Sequence, residues 1–280
     1  MTLILAATPL GNPGDASSRL KSAIENATII AAEDSRRFHR LCQDIEVTFT
    51  AKVLSFFEGN EEERTKELLS ELKNGATVLV VSDAGMPTIS DPGFRLMREA
   101  IAQNLEVLVI PGPSAVTMAV ALSGLPTDRF SFEGFPPRTA GARSSAFEKL
   151  RFEERTMVFF EAPHRLQESL VDAVEVFGSD RKAAICREMT KRYEETIRGT
   201  LSELLNWSNA NEVLGEITLV IAGAEVDSAL RTADEMVKRV KEFEAAGMDR
   251  KGAIATVADE FGLSKRLVYA AVVDANKMSQ

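Results

Sequence analysis

The stretch "VVSDAGMPTISDPG", Val80 to Gly93, begins as a buried apolar strand and continues as a turn rich in glycine, proline and aspartate. Pro87 and Pro92 lack a backbone donor, and Gly85 permits backbone dihedrals that other residues avoid. In an open α/β sheet, the loops at the carboxyl ends of the strands form the ligand site. The stretch therefore predicts the fold class and the edge of the sheet at which a ligand binds.

Two further turns of the same composition follow predicted strands, "ATPLGNPGD" (Ala7–Asp15) and "IPGPSA" (Ile110–Ala115). Glycine-rich backbone leaves its N–H and C=O groups open to a ligand. Neither of the common glycine patterns for phosphate occurs, and no basic residue lies inside the three turns. We therefore expect a ligand that is recognised through main-chain hydrogen bonds. The alternative is that each segment is a tight strand-to-helix turn and nothing more.

Short runs rich in valine and isoleucine alternate with amphipathic stretches, which is the pattern of βαβ units. We predict one α/β domain over residues 1–125, a second over residues 126–224 and a helical module over residues 231–280. In the module, Gly262 ends one predicted helix and Ser264 caps the next, as in a helix-turn-helix. A small dimerisation or capping module is the alternative interpretation of this segment.

Composition excludes several classes of protein. The 280 residues carry a net charge of -9, which argues against a surface built for nonspecific contact with nucleic acid. Two cysteines and two histidines show no spacing typical of a metal site or a disulfide framework. No apolar run is long enough for a membrane helix, and no basic leader precedes the first strand, so we expect a cytoplasmic protein.

Six segments, taken together and in order, resemble the small-subunit ribosomal RNA methyltransferase group of the tetrapyrrole methylase superfamily. They are "ATPLGNPGD", "AAEDSRR", "VSDAGMPTISDPG", "PGPSA", "EAPHRL" and "REMTKRYEE". The resemblance implies a two-domain, tetrapyrrole methylase-like α/β fold (class III methyltransferase) with S-adenosylmethionine between the domains and a C-terminal helix-turn-helix-like module. It also implies methylation of a cytidine ribose 2'-hydroxyl in the decoding region of 16S ribosomal RNA, with the small ribosomal subunit as partner, and a homodimer.

The same resemblance implies a set of cofactor-binding residues in the three turns and in the second domain. They are Pro9, Asp83, Ala84, Gly85, Met86, Ile89, Ser114, Ala115, Phe160, Gly215 and Glu216. Tetrapyrrole-modifying relatives carry Gly-Asp-Pro in the second turn, whereas this chain has Gly85-Met86-Pro87. The missing acid favours the RNA-modifying branch over a tetrapyrrole or diphthine-type methyltransferase, which stays open as an alternative.

Candidate catalytic residues lie in "AAEDSRRFHR", at a strand-to-helix junction facing the same edge of the sheet. Methylation of a hydroxyl needs a proton acceptor or close alignment, and Glu33 or Asp34 is the predicted acceptor. Arg36 is predicted to orient a phosphate or the carboxylate. For Asp34, a helix N-cap is an equally good interpretation. Lys191 is a second choice of base, on condition that burial lowers its pKa.

Basic residues predict the surface that contacts RNA phosphates. The segment "GFPPRTAGARSS", Gly134 to Ser145, is predicted as a flexible loop without an acid, and a plain connector is its alternative. The predicted RNA contacts are Arg138, Arg143, Arg165, Arg187, Lys265 and Arg266. A third possible function is a ligand-sensing regulator whose C-terminal module binds DNA.

Overall fold

The structure is a computed structural model that describes residues 1–224, 233–261, 263 and 265–278. The first part of the chain alternates strands and helices: β1 (Thr2–Ala6), α1 (Ser18–Asn26), β2 (Ile29–Ala32), α2 (Ser35–Asp44), β3 (Lys52–Ser55), α3 (Glu61–Lys73), β4 (Thr77–Val81), α4 (Phe94–Ala102), β5 (Glu106–Ile110) and α5 (Ala115–Ser123). The five strands form one sheet in the order β3-β2-β4-β1-β5, and every pair in it is parallel.

This first sheet is buried on both faces, which is why its central strands are apolar throughout. All four residues of β2 and the last four of β4 are buried. Successive side chains of a strand point to opposite faces, so Leu79 packs with Leu20 and Ile24, whereas Val80 packs in a second cluster on the other face. The parallel α/β class predicted from the sequence is confirmed.

The second sheet is mixed. Its elements are β6 (Phe130–Phe132), α6 (Ala140–Leu150), β7 (Thr156–Glu161), α7 (Leu166–Phe177), β8 (Lys182–Arg187), β9 (Glu195–Thr200), α8 (Leu201–Ala210) and β10 (Ile217–Ile221). The strand order is β6-β7-β10-β8-β9, with β6 parallel to β7 and the remaining pairs antiparallel.

Helix α5 joins the two sheets. It follows the last strand of the first sheet, yet Val116, Ala119 and Val120 pack against Val158 and Val220 of the second sheet. The predicted boundary between residues 125 and 126 places this helix in the first domain, and that boundary stays a prediction. The packing means that the loop before α5, which is one of the three glycine- and proline-rich turns, connects the two sheets directly.

In the C-terminal part of the chain, the described residues form three helices with a core of their own: α9 (Ala233–Ala245), α10 (Arg250–Glu260) and α11 (Lys265–Met278). Val240, Val257 and Val268, one from each helix, are buried together. The predicted turn residues Gly262 and Ser264 lie outside the described residues, as does the predicted start of the module at residue 231. Among the helices described, none has the length and apolar character that a membrane crossing requires.

Candidate functional site

The three glycine- and proline-rich turns converge on one cavity of about 400 Å³ between the two sheets. Of the eleven predicted cofactor residues, ten line it: Asp83, Ala84, Gly85, Met86, Ile89, Ser114, Ala115, Phe160, Gly215 and Glu216. Pro9 is buried and outside the lining, and its neighbour Leu10 contributes to the wall instead. The cavity therefore lies at the carboxyl ends of β1, β4 and β5, where the sequence predicts a ligand.

The second turn has a backbone of fixed and unusual shape. Thr8 and Gly85 exchange two backbone hydrogen bonds, of 2.9 and 3.1 Å, which join the first turn to the second. Gly85 has a φ of 81°, and two residues with side chains, Thr88 (76°) and Ser90 (63°), also have positive φ. A residue with a side chain pays about 1–3 kcal/mol for such a conformation, and such residues concentrate at ligand loops. The turn is thus held in shape before a ligand binds.

Five carboxylates line the cavity: Glu33, Asp83, Asp91, Glu161 and Glu216. Three of them form ion pairs, Asp83 with Arg37 at 3.2 Å, Glu161 with Arg165 at 3.5 Å and Glu216 with Lys191 at 3.0 Å. In the part of the chain that the structure describes, neither Glu33 nor Asp91 forms an ion pair with a lysine or arginine. The excess of negative charge suits a ligand that carries a positive charge.

Burial changes the acidity of these carboxyls. It raises the pKa of Asp91 to about 7, with a further upward contribution from the charges of Glu33, Asp83 and Glu216. It also raises the pKa of Glu33, against the effect of a hydrogen bond of 3.1 Å that the Glu33 carboxylate accepts from the Asp83 N–H. The Asp83 carboxylate in turn accepts from the Asp34 N–H at 3.0 Å. These reciprocal bonds fix the ends of β2 and β4 against each other.

Asp34 is the N-cap of α2. Its carboxylate accepts hydrogen bonds from the N–H groups of Arg36 (2.8 Å) and Arg37 (3.4 Å) and pairs with the Arg36 guanidinium at 3.0 Å. The Arg36 side chain and these N–H groups lower the pKa of Asp34 to about 2. A carboxylate of this acidity is a poor proton acceptor, and neither Asp34 nor Arg36 lines the cavity. The structure supports the N-cap interpretation of Asp34.

Lys191 is a structural cation. Its Nζ lies 2.8 Å from Glu188 and 3.0 Å from Glu216, and its aliphatic stem covers Gly11 of the first turn. Burial lowers the pKa of Lys191, but hydrogen bonds to Glu188 and Glu216 outweigh burial, so the pKa is raised overall. The prediction of Lys191 as a base required a lowered pKa and is therefore wrong. The side chain instead connects the second sheet to the first turn.

Arg143 is buried, with 1% of its surface exposed, and does not reach solvent. Its Nε donates to Asp172 at 2.6 Å, and its Nη2 lies 3.5 Å from Glu168, so it joins α6 to α7. The predicted loop over Gly134–Ser145 is helical from Ala140 onward, which places Arg143 on the inner face of α6. The prediction of Arg143 as an RNA contact is wrong for this reason.

Arg165 and Arg187 also have internal partners. Arg165 Nη2 donates to the carbonyls of Pro136 (2.7 Å) and Pro137 (3.0 Å), and its side chain is only 15% exposed. Arg187 pairs with Glu195 at 3.1 Å, with its side chain 17% exposed. These contacts contradict the predicted role of either side chain as a free phosphate ligand. Arg138, Lys265 and Arg266 are exposed, and their role as RNA contacts stays a prediction.

Several residues that line the cavity were not predicted from the sequence, among them Arg37, Asp91, Phe135 and Met189. Asp91 could have been predicted, because it lies in the same turn as Asp83 and precedes a proline. Phe135 could not have been predicted, since its position depends on how the loop after β6 packs. Among the described residues, no cluster of histidine, cysteine, aspartate or glutamate is arranged to hold a metal ion.

Comparison with known proteins identifies the family to which this chain is similar. Residues 2–205 match the family described as Tetrapyrrole (Corrin/Porphyrin) Methylases. The chain is 48% identical to "Ribosomal RNA small subunit methyltransferase I" of Mycobacterium tuberculosis, over 98% of this chain and 95% of that protein. It is 40% identical to the protein of the same name from Pseudomonas aeruginosa, over 96% of this chain and 95% of that one.

Solved structures share the fold at low sequence identity. The methyltransferase CobJ superposes with a TM-score of 0.61 at 17% identity, over 80% of this chain and 94% of that one. Uroporphyrin-III C-methyltransferase from Thermus thermophilus, in complex with S-adenosylhomocysteine, gives a TM-score of 0.56 at 14% identity, over 79% of this chain and 96% of that one. At these identities the likeness shows the fold alone.

Proposed function

The chain belongs to the tetrapyrrole methylase family, and we propose that it transfers the methyl group of S-adenosylmethionine to a cytidine ribose 2'-hydroxyl of 16S ribosomal RNA. The observation that carries the proposal is 48% identity, over nearly the whole chain, to a relative named as a small-subunit ribosomal RNA methyltransferase. The small ribosomal subunit is the proposed partner, and the cytoplasm is the proposed location of the reaction.

The cavity fits this cofactor in size and in charge. Its volume of about 400 Å³ is within the range of sites that enclose small organic ligands. Glu33 and Asp91 offer negative charge without a cationic partner among the described residues, which complements a sulfonium. Met86, Ile89 and Ile217 provide apolar surface for the rest of the molecule.

When bound, S-adenosylmethionine supplies a methyl group on a cationic sulfur. The chain's own residues must then align the ribose hydroxyl and accept its proton. Glu33 is the best placed acceptor, because it lines the cavity, has a raised pKa and is fixed by the Asp83 N–H. In this proposal the proton of the 2'-hydroxyl would move to a Glu33 carboxylate oxygen as the hydroxyl oxygen gains the methyl group. The bond between the methyl carbon and sulfur would break in the same step, and its electron pair would stay on the sulfur of the product, S-adenosylhomocysteine.

Transfer of labelled methyl tests the proposal. Isolated small ribosomal subunits, naked ribosomal RNA and a corrin precursor are incubated in parallel with the protein and labelled S-adenosylmethionine. We expect label in the small subunit, and nuclease digestion followed by mass spectrometry should find it as 2'-O-methylcytidine. Transfer to the corrin precursor alone would support the tetrapyrrole alternative. Cofactor binding without transfer to any of the three would favour a regulator.

Cofactor affinity should rise as the pH is raised through about 7, the pKa of Asp91. Below that pH the carboxyl is neutral, and above it the carboxylate attracts the sulfonium. Calorimetry at a series of pH values should show affinity increasing by several-fold, up to about tenfold per pH unit. Asp91→Asn should remove most of this dependence, and S-adenosylhomocysteine, whose sulfur is neutral, should show less of it. An equal pH dependence in Asp91→Asn would contradict the assignment.

We infer that a homodimer forms through β5, which is an edge strand of the first sheet. Leu108 and Val109 on this strand are 45% and 46% exposed, and an exposed apolar edge strand is a ready surface for association. Val109→Lys should weaken association at least tenfold, roughly the effect of one unfavourable buried charge. Sedimentation velocity measures this, with Val171→Lys on α7 as the matched control. Equal dimer fractions in both variants would place any interface elsewhere.

A further inference from the structure

The loop after β6 carries an exposed aromatic ring at the mouth of the cavity. Phe135 lines the cavity and is 54% exposed. Its ring centroid lies 5.6 Å from that of Phe160, which in turn lies 4.8 Å from that of Phe132. The three rings form a row that runs from the second sheet outward, with Phe135 at its outer end. Phe160 is more buried than Phe135, so the two rings line the cavity at different depths.

The backbone on both sides of Phe135 is fixed. The Gly134 carbonyl accepts from the Phe160 N–H at 3.0 Å, and the Pro136 and Pro137 carbonyls both accept from Arg165. The Arg165 guanidinium is itself held by Glu161, at 3.5 Å, whose side chain is completely buried. Because both flanking peptides are bonded to the core, the ring is presented by a rigid segment. Its exposure is therefore a property of the fold.

We propose that Phe135 stacks on an unpaired base of the RNA substrate and so positions the nucleotide that is methylated. The inference rests on the proposed function. Proteins that act on single-stranded RNA commonly stack splayed bases on aromatic side chains. Arg138, which is exposed and three residues further along the same loop, provides a cation for the adjoining phosphate. A base at the mouth and the cofactor inside the cavity would bring the two reactants together.

Steady-state methyl transfer to isolated small ribosomal subunits tests this role. Phe135→Ala and Phe135→Leu should raise the KM for the subunit about 5- to 150-fold, the range expected for loss of one stacked base. Phe135→Trp keeps an aromatic face and should stay within about threefold of the wild type. Cofactor affinity, measured by calorimetry, should change by less than about twofold in all three variants, because the ring lies at the mouth.

Phe152→Ala is the matched control, since Phe152 is also an exposed ring, at 38%, and precedes β7 at the end of that strand remote from Phe160. It should leave both parameters unchanged. A wild-type KM in Phe135→Leu would show that apolar contact suffices and would overturn the stacking role. A loss of cofactor affinity with an unchanged KM would assign the ring to the cofactor, which also overturns it. If the wild type methylates no RNA, the proposed function fails first and this inference with it.

Discussion

Replacement of Glu33 by glutamine should lower kcat for RNA methylation by about 10²- to 10⁴-fold, the usual contribution of a general base. Glutamine keeps the shape of the side chain, and its carbonyl oxygen still accepts the hydrogen bond of 3.1 Å from the Asp83 N–H. What it loses is the ability to take up a proton. Because burial raises the pKa of Glu33, the wild-type carboxylate is a stronger base than an exposed glutamate.

Single-turnover transfer to small ribosomal subunits, at saturating cofactor, measures this effect without a contribution from product release. Asp34→Asn is the matched control, because asparagine is as good an N-cap as aspartate and should hold the rate within about threefold. The wild-type rate should fall as the pH is lowered through the raised pKa of Glu33, since the protonated carboxyl accepts no proton. A large loss in Asp34→Asn, with an active Glu33→Gln, would reverse the assignment.

Replacement of Arg143 by alanine should reduce the free energy of unfolding by about 3–5 kcal/mol, the cost of breaking a buried ion pair. The Asp172 carboxylate is only 14% exposed and would lose the guanidinium that now lies 2.6 Å away. Urea unfolding measures the change. Arg138→Ala, on the exposed part of the same segment, should alter the free energy of unfolding by no more than about 0.5 kcal/mol.

A second variant distinguishes the structural role of Arg143 in the ion pair from a role in binding RNA. Arg143→Met combined with Asp172→Leu removes both charges and should recover much of the lost stability, because apolar pairs of similar volume often replace buried ion pairs without loss. The double variant should methylate subunits with a KM close to that of the wild type. Unchanged stability of Arg143→Ala, together with a raised KM, would restore the RNA role that burial argues against.

Strand-end turns were predictable from sequence because their determinants are local. A parallel strand is apolar along its whole length, and glycine and proline after it mark the loop, so β4 and the turn after it could be read from one segment. The three turns predict the edge of the sheet at which the cavity lies, and the resemblance to the family implied the individual lining residues. The single exception, Pro9, differs from a lining residue by one position along the first turn.

Side chains whose role depends on distant partners were not predictable. Arg143 appears in the sequence among glycine, alanine and serine, and the acid that pairs with it, Asp172, is 29 residues away on another helix. Asp91 has its raised pKa because the fold buries it and places Glu33, Asp83 and Glu216 around it. The packing of α5 on the second sheet likewise depends on residues far along the chain. Local patterns contain none of this information.

Thr88, with its φ of 76°, has a consequence for the stability of the unliganded protein. Glycine at this position would adopt the same backbone shape without steric cost, whereas threonine is held in it at a cost of about 1–3 kcal/mol. Thr88 is not among the residues that line the cavity. The shape of the turn is therefore maintained against a steric cost at a side chain outside the cavity wall, and the rest of the fold must offset that cost.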